Sequence, residues 1–338
     1  MQVKTMKILK NIKLAKYTTF HIGGKAEYFA DVKSIEELKK AVDFAKNNKL
    51  KIFVLGGGSN ILLPDKGLKG LVLKMNIRVI SFQDNILSAG AGNSWDNVVA
   101  QAVKKGLGGI ENLSLIPGTV GGAVYQNIGA YGAELKDVLD SVEVFDTNDD
   151  LIKTLSNRNC RFGYRDSVFQ HPEGNNYLIL GVILKLKKGS IPNITYPDLI
   201  KYFENKTATT QEVRKAVVRI RKAKLDYPTI SIGTVGSFFK NPVVTTSNFQ
   251  LLTSNYLDIR GRDIGDGLVK LFAGQLTEKA GWKGKRYVNV GVSKRHAMVL
   301  VSYKSAKSKD ILNLARKIQK SVKTKFGIHL EPEVKIMA

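Results

Sequence analysis

Between Gly106 and Gly132 eight of 27 residues are glycine, a density that no continuous helix or strand tolerates. Inside a helix each glycine costs about 0.5–1 kcal/mol relative to alanine, so a chain keeps this many where something must approach its backbone closely. A second cluster, Gly56-Gly57-Gly58-Ser59-Asn60, follows a strand-like run from Lys51 to Leu55. Within the first cluster the densest piece is Pro117-Gly118-Thr119-Val120-Gly121-Gly122. Consecutive glycines let several backbone N–H groups converge on one anion without side-chain clashes, which suits a pyrophosphate; two tight turns are the alternative. No Gly-x-Gly-x-x-Gly opens a helix after a strand and no Walker A sequence occurs, so the ordinary nucleotide motifs are absent.

The elements around these loops alternate. Ser34 and Glu37 form a capping box before an apolar stripe of Ile35, Leu38, Val42 and Ala45, which predicts a helix to Lys49. Strand patterns follow at Leu71–Met75 and Leu87–Gly92, then a helix begun by Ser94 and stopped by Gly106. Val142–Thr147 and Leu178–Lys187 read as strands, and Thr209 with Glu212 opens a helix over Thr210–Leu225. Tyr227–Pro242 is turn-rich, Leu268–Lys279 reads as helix, and Tyr287–Val292 and Ala297–Tyr303 read as strands. The stripe Ile311, Leu314, Ile318 and Val322 predicts a last helix ending before Gly327, and Pro332–Met337 a strand returning to an earlier lobe. The class is mixed α and β, with soft boundaries near residues 76 and 225.

Composition narrows the function. The net charge of +24 suits an anionic partner, but 41 of the 53 cations are lysines dispersed from Lys4 to Lys335, without any nucleic-acid-binding signature. They read as a solvated surface, and neither nucleic acid nor membrane is expected as a partner. The longest apolar runs, such as Leu178–Leu186, fall far short of the roughly 20 residues a membrane-spanning helix needs. Met1–Lys16 has no apolar core of a signal peptide, which predicts a cytoplasmic protein. Cys160 is the single cysteine, and His21, His171, His296 and His329 show no metal-ligand spacing, so neither a disulfide framework nor a metal site is expected.

Taken together, several stretches resemble the UDP-N-acetylenolpyruvoylglucosamine reductase family. They are Thr19-Phe20-His21-Ile22-Gly23-Gly24, Leu55-Gly56-Gly57-Gly58-Ser59-Asn60, Asn112 to Gly121, Gln126 to Gly132, Tyr164-Arg165-Asp166-Ser167, Gly236 to Pro242, and Leu330-Glu331-Pro332-Glu333-Val334. They occur in the family's order from residue 17 to residue 337. The resemblance implies an α+β protein: a two-lobed FAD-binding region of the vanillyl-alcohol-oxidase/PCMH type and a C-terminal α+β substrate domain. It implies lobe 1 over 1–76, joined by a C-terminal strand at 331–338, lobe 2 over 77–224 and the substrate domain over 225–330.

The activity implied is NADPH-dependent, FAD-mediated reduction of UDP-N-acetylglucosamine enolpyruvate to UDP-N-acetylmuramate in peptidoglycan precursor synthesis, by a protein favoured to be a monomer. Position by position, the resemblance places Gly56, Gly57, Gly58, Ser59 and Asn60 on the FAD pyrophosphate. Ser114, Pro117, Gly118, Gly121, Gly122, Asn127, Ile128 and Gly129 fall along the cofactor. Reduction of an enolpyruvyl ether builds charge on C2 and its carboxylate, so it needs cationic or donor groups and a proton source. Arg165, Ser237 as proton donor, and Glu333 match the family's active-site residues, while Tyr196, Lys224 and Asn241 match its substrate contacts. The sequence departs from the family pattern after Lys224, where the link reads one residue longer, and at His296, where glutamine is common.

Residue by residue, a structural reading stands beside each assignment: Arg165 as a surface cation or partner of Asp166, Ser237 as a turn serine, Glu333 as a solvated acid. Two other functions stand beside the main one. Another FAD-dependent oxidase or dehydrogenase sharing the flavin lobes would not be expected to carry the Gly236–Pro242 and Leu330–Glu333 pieces together. A basic nucleic-acid-binding protein would leave the glycine loops unexplained.

Overall fold

The computed structural model describes residues 6–204 and 206–337. The first five residues of the expected lobe 1, and Ala338 at the end of the expected C-terminal strand, lie outside the described residues. The chain divides into two compact units, one of Met1–Ile12, Lys25–Gly58 and Leu68–Arg221, the other of Lys13–Gly24, Ser59–Gly67 and Lys222–Ala338. The second glycine loop therefore straddles the division, with its glycines in the first unit and Ser59 and Asn60 in the second.

Two larger sheets build the first unit, beside two small two-stranded pairs. One has the order Ile8–Lys13, Lys25–Val32, Leu68–Met75, Ile52–Leu55, and the last three strands run parallel. Parallel pairing demands a crossover, which is helix α1 (Ile35–Asn47). The Ser34 hydroxyl accepts the Glu37 N–H at 3.2 Å, while the Glu37 carboxylate accepts from Lys33 N–H rather than from the cap residue. Leu38, Ala41, Val42 and Ala45 of α1 are buried with Val32, Leu71 and Leu73 of the sheet. The other sheet is five-stranded and antiparallel, in the order Leu151–Ser156, Leu139–Asp146, Tyr177–Lys185, Ile86–Gly90, Ile80–Gln83. Helices α2 (Trp95–Lys104) and α3 (Val120–Tyr125) bury Val98, Val99, Ala102, Val120 and Val124 in the same core as Leu87, Val142 and Leu184. Helices α4 (Pro197–Phe203) and α5 (Thr210–Lys224) form a smaller cluster through Leu199, Val213, Ala216 and Val217. At the start of α5 the Thr209–Glu212 box forms with both arms present.

The second unit carries a four-stranded sheet in the order Gly233–Ser237, Val299–Ser302, Val290–Val292, Arg286–Tyr287, and a three-stranded one in the order Val243–Thr245, Leu268–Leu271, Gly261–Asp263. Helices α6 (Thr246–Asn255), α7 (Ala273–Lys279) and α8 (Ser308–Phe326) accompany them. Ile311, Leu314, Ile318 and Val322 of α8 are buried with Phe238, Phe239 and Leu300. The C-terminal strand, Lys335–Ile336, pairs in parallel with Ile61–Leu62.

Two expectations need correction. Leu268–Leu271 is a strand rather than the start of a helix, because Val269 and Lys270 pair on both sides, Leu268 and Leu271 on one side each, and only Ala273–Lys279 coils. Tyr287–Val292 is not one strand: Val288 has φ +42° and turns the chain between two short antiparallel strands. Among the described residues, no helix is long and apolar enough to cross a membrane.

Candidate active site

In the first unit the two glycine loops pack on one another. A Cβ at Gly57 would lie 2.7 Å from the Gly118 Cα, and one at Gly56 would lie 2.7 Å from the Thr119 Oγ1. Close approach of two backbones is why neither position carries a side chain. Gly58 at φ +65° and Gly118 at φ +120° turn in the left-handed half of the map, where glycine alone is unstrained. The Gly118–Gly121 segment is held by backbone bonds: Trp95 N–H to Gly118 O at 3.1 Å, Val120 N–H to Asn93 O at 3.0 Å and Gly121 N–H to Ala91 O at 2.9 Å.

Two features of this cradle have no use within the protein itself. The Thr119 Oγ1 is buried and has no hydrogen-bond partner among the described residues. Gly122 sits in helix α3, where alanine would serve the helix better, yet a Cβ there would meet nothing nearer than the Thr119 Oγ1 at 3.8 Å. An orphaned hydroxyl beside an open glycine face fits the phosphate end of a bound dinucleotide. Lys74 adds a cation that sequence reading passed over: its ammonium donates to the Gly56 carbonyl. Burial, opposed by Asp31 and aided by Arg78, holds its pKa below the usual lysine value. The signal was present, since Lys74 interrupts the otherwise apolar run Leu71–Met75.

Other expected cofactor residues are engaged internally. The Ser114 hydroxyl is wholly buried and donates to Glu111 O at 2.6 Å. Asn127, also wholly buried and at φ +42°, donates to Glu134 and to Gly163 O and accepts from Lys136 N–H. Their side chains shape the loop, and what they offer a ligand is placement of the neighbouring backbone. Arg165, at φ +55° in a turn closed by Gly163 and Asp166, donates to Gly129 O at 2.5 Å, which joins it to the end of the glycine-rich stretch. The Asp166 carboxylate meets His171 Nε2 at 2.8 Å. Tyr196 packs edge-on against Tyr131 with ring centroids 5.2 Å apart.

The turn at Leu115 is held from two sides. Its N–H donates to Asp96 Oδ1 at 2.6 Å, and Arg214 of α5 grips the same carboxylate with bonds of 2.7 and 3.1 Å. Burial alone would raise the Asp96 pKa; the Arg214 guanidinium and the Leu115 amide outweigh it and hold the carboxyl below its ordinary value. Arg221, two turns further along α5, has a buried Nε with no partner among the described residues.

In the second unit, two motifs about a hundred residues apart become neighbours. Phe238 N–H donates to Met298 O, Glu333 N–H donates to Phe238 O, and Lys240 N–H donates to Glu331 O, each at 2.8 Å. Ser237 thus precedes, and Glu333 pairs with, the same residue. The fully buried rings of Phe238 and Phe239 anchor this pair, and burying each is worth about 1.5–3 kcal/mol. Gly236 at φ +78° bulges the strand so that the register jumps from Thr234↔Val301 to Ser237↔Val299. Asn60 donates its side-chain amide to Glu333 O at 3.1 Å, and its own carbonyl accepts from Lys335 N–H.

The substrate-side residues of this unit also have defined surroundings. Asn241 Oδ1 accepts from Ala273 N–H at 3.0 Å. His296 Nδ1 accepts from Met298 N–H at 3.3 Å, which leaves the proton of the neutral ring on Nε2. Burial first, then the charges of Lys224 and Lys283, lower the His296 pKa against the opposing Glu278. Lys224, at the end of α5, and His296 therefore share one electropositive region.

Comparison with known proteins agrees with this geometry. Residues 26–155 match the model of an FAD binding domain, and residues 227–337 match that of the UDP-N-acetylenolpyruvoylglucosamine reductase C-terminal domain. The chain is 38% identical to the UDP-N-acetylenolpyruvoylglucosamine reductase of Flavobacterium johnsoniae, over 98% of this chain and 100% of that protein. It is 39% identical to the enzyme of the same name from Pseudomonas aeruginosa, over 97% and 98%. The crystal structure of the Thermus caldophilus reductase superposes with a TM-score of 0.70 at 28% identity, covering 98% of this chain and all of the other. 6-Hydroxy-D-nicotine oxidase from Arthrobacter nicotinovorans shares the fold, with a TM-score of 0.50 at 13% identity over 97% and 88% of the two chains.

Proposed function

Since this chain belongs to the UDP-N-acetylenolpyruvoylglucosamine reductase family of FAD-containing oxidoreductases in peptidoglycan synthesis, we propose that it reduces UDP-N-acetylglucosamine enolpyruvate to UDP-N-acetylmuramate with NADPH. The observation that carries the reading is the pairing of Phe238 with Glu333, which puts Ser237 and Glu333 on either side of one buried anchor.

Gly56, Gly57, Gly58, Gly118, Gly121 and Gly122, with Thr119 and Lys74 beside them and Ser59 and Asn60 following, would hold the cofactor's pyrophosphate; the backbone of Ser114, Pro117, Asn127, Ile128 and Gly129 would line the rest. FAD, when bound, would supply hydride chemistry, taking a hydride from NADPH and yielding one to the enolpyruvyl group. The protein's own part is electrostatic and acid–base. Arg165, oriented by its bond to Gly129 O, grips the substrate carboxylate as it takes up charge. Ser237 gives its hydroxyl proton to C2; serine is a feeble acid, and the transfer works because the carbanionic C2 is a strong base and the hydroxyl is already placed. Glu333 supports the intermediate from its place beside Phe238, and Asn60 braces it through the bond from its side-chain amide to Glu333 O. Tyr196, Lys224 and Asn241 hold the UDP portion, with Lys224 meeting the diphosphate as a cation. We place the protein in the cytoplasm, since the reaction calls for NADPH and a UDP-linked sugar and for neither membrane nor nucleic acid.

The deciding experiment is anaerobic. Flavin-loaded protein is reduced with NADPH, UDP-N-acetylglucosamine enolpyruvate is added, and the oxidised flavin spectrum is followed. Prompt return of that spectrum with formation of the lactyl ether is the expected result. Flavin that reduces and then stays reduced until oxygen enters would leave the cofactor assignment standing and overturn the substrate.

A further inference from the structure

We propose that Asp96 is a positioning residue for the cofactor loop and that, through Arg214, it makes the shape of that loop answer to helix α5. The inference rests on the reading of residues 114–118 as part of the flavin cradle.

The argument starts from Leu115. Its φ of +59° is a left-handed conformation that a branched side chain resists, so something outside the residue must hold it. Helix α2 does so with its first two residues. Trp95 donates its backbone N–H to Gly118 O at 3.1 Å and its ring Nε1–H to Leu113 O at 3.0 Å; Asp96 accepts the Leu115 N–H at 2.6 Å. Leu113, Leu115 and Gly118 are thereby pinned from one helix end. Of these three ties only the one through Asp96 has a second owner. Arg214 Nη1 donates to the same Oδ1 at 2.7 Å and Nη2 to Oδ2 at 3.1 Å, the two-point geometry that fixes a carboxylate's rotation as well as its place. With side chains 19% and 30% exposed, the pair is sheltered enough to be more than a solvated surface contact.

Arg214 lies in the part of α5 whose other face is packed. Val213, Ala216 and Val217 are buried with Leu199 of α4, and Tyr131 and Tyr196 pack against that cluster. Asn112 closes the circuit from the loop side, donating to Tyr131 O at 2.7 Å and Asn193 O at 2.8 Å. A rearrangement of the Tyr196 segment that shifts α5 moves the Arg214 fork, and the fork turns the carboxylate that holds Leu115. Asp96 touches the loop backbone alone, so its action on the cofactor runs through Leu115.

The test uses the full-length apoprotein titrated with FAD, read by flavin fluorescence and by the absorption band of the bound oxidised flavin, together with hydrogen exchange at the Leu115 amide without cofactor. Asp96→Ala should raise the FAD Kd about tenfold or more, shift the bound-flavin band and speed Leu115 exchange. Asp96→Asn keeps an acceptor for Leu115 N–H but sets an amide against Arg214, and it should fall between Asp96→Ala and wild type. Because Arg214 acts through Asp96, the double variant Asp96→Ala/Arg214→Met should be no weaker than Asp96→Ala alone. Unchanged Kd, band and exchange in a folded Asp96→Ala protein would overturn the proposal, and so would additive losses in the double variant. Should Asp96→Ala fail to fold, Arg214→Met alone decides: unchanged FAD affinity and unchanged Leu115 exchange would overturn it. Wild-type protein that binds no FAD at all would instead overturn the flavin reading, and the inference with it.

Discussion

Gly57 and Gly118, sixty-one residues apart, touch so closely that a Cβ on the first would stand 2.7 Å from the Cα of the second. The contact is backbone to backbone, so neither side can yield by turning a side chain. Gly57→Ala should therefore destabilise the protein even without cofactor, by about 1–3 kcal/mol for overpacking, and weaken FAD binding as well. Urea unfolding of apoprotein checks this; unaltered apo stability with weakened flavin binding would mean that Gly57 meets the cofactor alone. Gly57→Asp would suffer the same clash before any repulsion from a pyrophosphate was felt.

Gly122 is the converse case. A methyl group there would meet no atom nearer than 3.8 Å, and it would occupy the space facing the orphaned Thr119 hydroxyl. Gly122→Ala should leave the apoprotein as stable as wild type or more so, by about 0.5–1 kcal/mol, because glycine is the poorer helix former. It should nonetheless bind FAD about tenfold or more weakly, a loss of about 1.4 kcal/mol. Calorimetry of the apoprotein beside a flavin titration separates the two effects, and equal flavin affinity would show that the cofactor passes elsewhere.

Ser237 closes its strand by backbone pairing, and Gly236 rather than the serine side chain makes the bulge. Ser237→Ala should keep the fold, the flavin and its reduction by NADPH, while the step that re-oxidises the flavin with the enolpyruvyl substrate slows by about 10²–10⁴-fold, the usual weight of a positioned acid. Stopped-flow measurement of each half-reaction is the check. Equal slowing of both halves would remove Ser237 from the proton-donor role.

For His296 the pKa is lowered in the folded protein from 6.5, so the unfolded chain takes up the proton first as pH falls. The folded state loses stability from about pH 6.5 downward, through the lowered folded value, and regains it above. His296→Gln should flatten that slope and change nothing at pH 8. Urea unfolding at stepped pH measures it; a variant as pH-sensitive as wild type would assign the slope to another group.

Local chemistry was legible along the chain. The box at Thr209 and Glu212, the stripe of α8 and the stop at Gly327 (φ +72°) all depend on neighbours within one or two turns, and they stand as read. Leu268–Leu271 reads as helix from sequence because its period does not distinguish the two states, and the choice comes from strand partners at Val243–Thr245 and Gly261–Asp263. Strand Lys25–Val32 and helix α6 had too weak a local signal to be named in advance.

The chemistry of the site divides in the same way. By itself the sequence determined that glycine loops must admit something against their backbone, and which side chains match a reductase's carboxylate grip and proton source. Tertiary structure decided what those residues touch. It set Gly57 on Gly118, turned the Ser114 and Asn127 side chains inward, and brought Glu333 onto Phe238 beside Ser237. It also revealed Lys74, Thr119 and the Asp96–Arg214 clamp on Leu115, none of which belongs to a local pattern. The physical reason is range: caps and stripes are settled by hydrogen bonds and burial within a few residues, whereas a carboxylate on α2 finds an arginine 118 residues later only once both helices are packed in place.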